Sequence, residues 1–149
     1  MFVTNPIGIL GEEEAVKMLK KKGFRIIERN WRMGHLEVDI IAESRREIVF
    51  AEVKARTSTF GGKMPEEYVD DLKKQRMTAA ANAYIKYHKV TKSPRFDIIG
   101  LLVDSYTQQI TYRCHLEDAF VPRQRTVSSG SFSGQWKWQH RTHTIERKR

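Results

Sequence analysis

The sequence predicts a three-layer α/β fold, in which a mixed central sheet of about five strands is flanked by helices. Three observations favour this fold. A helical segment precedes each of two sets of strands, two runs rich in Val, Ile and Phe have the pattern of a β-hairpin, and 149 residues with 40% hydrophobic content can bury one core. The predicted order is a helix, three strands, a second helix and two further strands.

The first helix should begin near residues 7–11 and end at Lys22, because Gly23 provides a C-terminal stop. Three acids, Glu12–Glu14, suit the positive N-terminal end of the helix dipole. Glu12 also shares helical spacing with inward apolar residues, where a carboxylate needs a partner. A helix-end role and an inward functional role therefore both stay open for Glu12.

Residues 37–42 and 47–56 predict the hairpin, because both runs are apolar and flank a short polar break. With the turn at residues 45–46, positions whose numbers sum to 91 face each other. One face is then wholly apolar and pairs Val38 with Val53, Ile40 with Ala51 and Ala42 with Val49. A one-residue slip would bring carboxylates onto that face, so the hydrophobic pattern supports this register.

The opposite face of the hairpin concentrates charge. It pairs Asp39 with Glu52 and Glu37 with Lys54, and Arg56 follows on the same side. Two carboxylates roughly 5 Å apart across a ladder repel by about 3 kcal/mol at an effective dielectric near ~20. Either one carboxyl is protonated or a cation lies between them, and a hard divalent cation prefers such oxygen ligands.

The other elements follow from local signals. Residues 24–31 alternate as a first strand, and Pro65 should open a second helix that runs to about Lys89. Residues 96–103 and 108–115 predict the last two strands. The second helix carries Lys73, Lys74 and Arg76, and this basic group is either a solvated face or a phosphate contact.

Charge and composition limit the classes of protein to which this chain can belong. Residues 119–149 hold seven Lys or Arg and one acid, so most of the net charge of +9 lies in the tail. This Ser- and Gly-rich tail either keeps the protein soluble or stacks Trp136 and Trp138 on unpaired bases. A single Cys and the lack of a long apolar run predict a cytoplasmic protein without a membrane span.

Six short motifs resemble one bacterial family, the YraN-like family, when taken in order along residues 5–105. They are Gly11-Glu12, Arg29-Asn30-Trp31, the run from Glu37 to Ala42, the run from Val53 to Arg56, Lys74-Gln75-Arg76, and Arg95-Phe96-Asp97. Members of that family are described as endonucleases of the PD-(D/E)xK superfamily, similar to archaeal Holliday junction resolvases. Leu36 departs from the family pattern, which commonly has Gly there, but it only precedes the proposed ligands.

Composition predicts a basic, flexible tail in residues 121–149, and the resemblance implies a restriction-endonuclease-like core in residues 1–120. It further implies a metal-dependent endonuclease that hydrolyses DNA phosphodiester bonds at branched or otherwise structured DNA. Resolvase-like enzymes cut two strands symmetrically as dimers, so a homodimer is consistent with it.

The resemblance also assigns roles to individual residues. Asp39 and Glu52 would bind Mg²⁺ or Mn²⁺ with the backbone carbonyl of Val53, and Glu12 would complete or orient this set. We expect Lys54 to position water and stabilise the pentavalent phosphate as a charged ammonium. For nucleic-acid binding, the expected residues are Arg56, Lys74 and Arg76.

Two other functions stay open from the sequence. A noncatalytic nucleic-acid-binding or assembly protein could use the same fold, because fold does not fix function. In that case an ion pair between Glu37 and Lys54 would be merely structural. A general protein-interaction domain that uses its tail would show neither metal affinity nor salt-dependent DNA binding.

Overall fold

The computed structural model of the protein describes residues 5–122, apart from the side chain of Phe60. The elements are α1 (Pro6–Lys21), β1 (Arg25–Met33), β2 (Leu36–Glu43), β3 (Glu47–Arg56), α2 (Asp71–His88), β4 (Ser93–Val103) and β5 (Ile110–Leu116). Two 3-10 turns, Phe60–Gly62 and Pro65–Tyr68, lie between β3 and α2. The predicted order of helices and strands is confirmed.

The five strands form one mixed sheet in the order β1-β2-β3-β4-β5. Neighbouring strands are antiparallel except β3 and β4, which are parallel. The helices cover opposite faces, because Leu19 of α1 packs with Ile40 and Ile99, whereas Tyr84 of α2 packs with Phe50. The three-layer α/β fold predicted from the sequence is therefore confirmed.

Helix α1 begins at a strong cap. The side-chain oxygen of Asn5 accepts hydrogen bonds from the backbone N–H groups of Ile7 and Gly8 at 3.2 and 3.3 Å. Gly11 then lets the helix approach the sheet, since a Cβ at this position would lie 2.5 Å from the Cβ of Ala55. This close contact places the next residue, Glu12, near the end of β3.

The start of α2 differs from the prediction. Pro65 opens a 3-10 turn instead, and α2 begins at Asp71. The reason lies between the two: Val69 is extended and buried, and the side chain of Asp70 caps α2 by accepting from the backbone N–H of Lys73 at 2.8 Å. The prediction that Pro65 is the first residue of this helix was wrong.

The hairpin register is confirmed in its central part, where Ile40 pairs with Ala51 and Ala42 with Val49. The face of Val38 was predicted wrongly, because Val38 packs with Ile41 and Phe50 under α2. The change lies opposite Asn30 of β1, which takes a positive φ of 51° between the pairs Arg29–Ile40 and Trp31–Val38. The alternation of side chains between the two faces of the sheet is thus broken beside Asp39 in β2.

Within residues 5–122, no helix is long and apolar enough to cross a membrane. The predicted basic tail, residues 121–149, lies outside the described residues except for its first two.

Candidate functional site

The carboxylate of Asp39 lies where β2 and β3 stop pairing. Paired positions end at Ile40 and Ala51, and beyond them Oδ2 of Asp39 accepts a hydrogen bond from the backbone N–H of Val53 at 2.8 Å. The side chain thus takes the place of a backbone acceptor at the open end of the hairpin. This bond holds Asp39 next to Glu52, as the predicted register requires.

Glu52 is the most unusual residue of this site, because its side chain is charged in water yet only 3% of the residue is exposed. Its Oε1 lies 3.3 Å from Nζ of Lys54, and its Oε2 lies 3.4 Å from Nζ of Lys73. The Oε2 atom nevertheless has no hydrogen-bond partner among the described residues. A buried acceptor without a donor is costly, so this oxygen is available to a ligand.

Burial raises the pKa of both acids, whereas each acid affects the pKa of the other in a different direction. Burial, and then the charge of Asp39, raise the pKa of Glu52 to about 7, against the opposing effect of Lys73 and Lys54. Burial also raises the pKa of Asp39, although its bonds to Val53 N–H and the Glu52 carboxyl oppose the shift. The pair therefore retains a proton close to neutral pH, as expected for two carboxyls that share one site.

Glu12 approaches the pair from α1. The side-chain amide of Asn30 donates to its Oε2 at 3.1 Å, and the guanidinium of Arg29 lies 4.0 Å from the same oxygen. Partial burial raises the pKa of Glu12, and the charge of Asp39 adds to this shift. Glu12 is therefore an inward residue beside Asp39 and not only a residue of the helix end.

One predicted contact of the charged face is corrected. Glu37 does not pair with Lys54; its carboxylate lies 3.5 Å from Arg32 and 3.7 Å from Lys73, while Lys54 pairs with Glu52. The pairing of β2 and β3 ends before Glu37, which frees it to turn towards α2. Lys54 is therefore directed to the carboxylate pair.

The residues expected to bind nucleic acid form no ion pair with the carboxylates of Asp39 and Glu52. Arg56 is exposed, and its guanidinium lies 5.1 Å from the ring centre of Tyr68. Lys74 is half-buried and lies 5.8 Å from the ring of Phe120, whereas Arg76 is exposed on α2. No ion pair joins these three cations to a carboxylate within residues 5–122.

The motif Arg95-Phe96-Asp97 belongs to a different cluster. Asp97 is fully buried and accepts two hydrogen bonds from Arg95, both at 2.8 Å, and its Oδ2 lies 2.7 Å from His115. Burial opposes ionisation, but the bonds from His115 and Arg95 hold the pKa of Asp97 below its usual value. This saturated network joins β4 to β5 and is structural.

Comparison with known proteins identifies the family of this chain. Residues 11–101 match the profile of the "Uncharacterised protein family UPF0102". The chain belongs to the UPF0102 family. Relatives named "UPF0102 protein" are 41% identical in Bacteroides thetaiotaomicron and 42% identical in Phocaeicola vulgatus, each over 118 residues that cover 79% of this chain and 94% of the relative. A third, from Parabacteroides distasonis, is 40% identical over 116 residues, 78% of this chain and 93% of the relative.

The family match spans every site residue predicted from the sequence, from Glu12 to Arg76. The structure adds two residues of this UPF0102 protein to the site, Asn30 and Lys73. Asn30 lies in the motif Arg29-Asn30-Trp31, but the sequence predicts no role for it because a left-handed backbone cannot be read from the sequence. The sequence predicts Lys73 only as part of a basic group, because the direction of its side chain depends on where α2 begins.

Proposed function

We propose that this UPF0102 protein is a divalent-cation-dependent endonuclease that hydrolyses phosphodiester bonds in DNA. The observation that carries the proposal is the pairing of half-buried Asp39 with buried Glu52. Oε2 of Glu52 lacks a hydrogen-bond donor, although Nζ of Lys54 lies 3.3 Å from Oε1 and Nζ of Lys73 lies 3.4 Å from Oε2. Such an arrangement suits a phosphate and a cation better than it suits a stable core.

The residues present fit Mg²⁺ or Mn²⁺. Two carboxylates with raised pKa values and one unsatisfied oxygen form the kind of donor set that hard cations prefer. Asp39, Glu52 and the backbone carbonyl of Val53 would hold the ion. Among residues 5–122, no three His, Cys, Asp or Glu side chains form a group that could hold a metal ion, so the proposal rests on the carboxylate pair alone. A bound cation supplies Lewis-acid chemistry at water and at the phosphate.

The side chains around the pair have distinct tasks in this proposal. Lys54 stabilises negative charge that develops on the phosphate, as a fixed cation 3.3 Å from Glu52. Lys73 does the same from α2 and keeps the pKa of Glu52 from rising further. Glu12, held by Asn30, orients Asp39 and accepts protons near the site.

Branched or otherwise structured DNA is the proposed substrate, and a homodimer is the proposed active form. Both parts rest on the likeness to resolvases that the motifs carry. The exposed cations Arg56 and Arg76, together with half-buried Lys74, are the proposed contacts to phosphates outside the cleaved position.

One observation favours a noncatalytic nucleic-acid-binding or assembly protein instead. Lys54 and Lys73 already lie near the two oxygens of Glu52, so ion pairs could compensate the buried charge without a metal. In that case the site would bind phosphate or a partner but would not hydrolyse DNA.

The test is cleavage of four-way, flapped and linear DNA with Mg²⁺ or Mn²⁺. Wild type and Glu13→Gln, which changes an exposed acid on α1, should cut at least one of these substrates. Glu52→Gln should cut none, although its fold is retained. Equal cleavage by all three proteins would exclude this site, and cleavage by none would favour the noncatalytic alternative.

A further inference from the structure

Two cations share one aromatic ring beside the candidate site. The guanidinium of Arg56 lies 5.1 Å and Nζ of Lys63 lies 4.5 Å from the ring centre of Tyr68. Neither cation lies within 4.0 Å of a carboxylate in the part of the chain that is described. We call these three residues the cation–aromatic cluster. Two like charges that form no ion pair can together hold an anion.

The cluster is held by fixed structure. Tyr68 ends the 3-10 turn Pro65–Tyr68, in which Pro65 is buried. Glu66 in this turn accepts a hydrogen bond from the Tyr112 hydroxyl at 2.7 Å. A Cβ at Gly100 would collide with the Glu66 carboxylate and lie 2.9 Å from its backbone nitrogen, so the turn packs directly on β4. Tyr68 is half-buried and is held by an anchored segment.

The position of the cluster relates it to the carboxylate pair. Glu52, Lys54 and Arg56 alternate along β3 and share one face of the sheet. At a rise of about 3.3 Å per residue, Arg56 lies about 13 Å from Glu52 along the strand. Lys54 lies between them. The three side chains form a line that leads from the buried acids to the ring of Tyr68.

We infer that the cation–aromatic cluster binds an unpaired nucleic-acid strand next to the carboxylate pair. Arg56 and Lys63 turn from the ring to contact successive phosphates, and the ring of Tyr68 then stacks on a base. Base faces are covered in a duplex, so stacking selects the single-stranded arm of a flapped or branched DNA. The inference deepens the proposed nuclease function, but binding itself needs neither metal nor hydrolysis.

The test measures binding in the absence of cleavage. Full-length protein in EDTA is titrated into labelled single-stranded DNA and into a duplex of the same sequence, each at several salt concentrations. Arg56→Gln and Lys63→Gln should each lower the slope of log affinity against log salt by about 0.7 on the single strand. Arg45→Gln, an exposed cation at the other end of the hairpin, is the matched control and should leave the slope unchanged.

Variants of the ring separate stacking from charge. Tyr68→Ala should weaken single-strand binding about 5- to 100-fold and duplex binding less than about 2-fold, while Tyr68→Phe retains the wild-type affinity. Equal effects of Arg56→Gln, Lys63→Gln and Arg45→Gln would overturn the inference. So would an equal loss on single strand and duplex for Tyr68→Ala, because the ring would then only support the fold.

Cleavage assays on the same variants keep the two proposals apart. Loss of single-strand binding in the cluster variants, in a protein that cuts no DNA, would support the binding site and contradict the nuclease function. If the cluster variants still cleave DNA and bind the single strand as tightly as wild type does, the nuclease function is supported and the binding site is overturned.

Discussion

The backbone N–H of Val53 donates to Oδ2 of Asp39 at 2.8 Å, at the point where β2 and β3 separate. The two strands cannot continue their ladder there, because the side chain of Asp39 has replaced a carbonyl as acceptor. The same bond holds the carboxylate of Asp39 beside Glu52 and opposes the rise of the pKa of Asp39. The end of the hairpin thus positions the two acids.

Two substitutions of Asp39 should separate the effect of its charge on stability from the effect of its hydrogen bond. Asp39→Asn keeps an oxygen for Val53 N–H and removes repulsion, so its free energy of unfolding should equal or exceed that of wild type. Asp39→Ala also loses the acceptor and should be about 1–2 kcal/mol less stable than Asp39→Asn. Urea denaturation checks the order, and equal stability of the two variants would show that the bond is unimportant.

The pH dependence of stability should reveal the protonated pair. The pKa of Glu52 is raised to about 7, so the folded state binds its proton more tightly than the unfolded state does. Wild type should therefore lose stability as pH rises from about 4.5 to about 7. Glu52→Gln lacks this loss and should gain on the order of 3 kcal/mol relative to wild type across that window. Denaturation in EDTA at several pH values measures it, and parallel curves would argue against a buried, shifted acid.

Lys73 and Lys74 provide a matched pair on α2. Lys73→Gln removes an ammonium 3.4 Å from Glu52 and should lower the cleavage rate about 10- to 100-fold. It should also move the acidic limb of the pH–rate profile upward, because Lys73 lowers the pKa of Glu52. Lys74→Gln should change only DNA affinity, and a shifted pH profile in this variant would contradict the assignment.

Asp97 should behave in the opposite way to Glu52. Asp97→Asn breaks a buried network with Arg95 and His115 and should cost about 3–5 kcal/mol of stability. The depressed pKa of Asp97 gives stability that is present above the unfolded pKa and lost as pH falls through the folded value. Thermal unfolding at neutral pH checks this, and a loss below about 1 kcal/mol would remove the structural role.

The contact of α1 with β3 can be tested by exchange of small residues. Gly11→Ala should destabilise the protein by about 1–3 kcal/mol, because its Cβ would collide with that of Ala55. The double variant Gly11→Ala with Ala55→Gly should recover part of this loss. Additive losses in the double variant would show that the two positions do not touch.

The sequence predicted the order of elements, the mixed sheet and the central hairpin register, because alternation of apolar residues determines which strand face is buried. It also singled out Asp39, Glu52 and Lys54, since like charges across a ladder demand compensation. It failed at Val38, Pro65 and Lys73 for one physical reason. Each depends on a local interruption, at Asn30 or at the cap Asp70, which periodicity does not encode.

The most direct measurement is calorimetric binding of Mg²⁺ and Mn²⁺ to wild type and to Asp39→Asn, followed by incubation of both with four-way, flapped and linear DNA. We expect wild type to bind metal, with release of a proton near neutral pH, and to cut at least one DNA. Asp39→Asn should fold but show neither property. Absence of metal binding at millimolar concentration in the presence of DNA would contradict the proposed function.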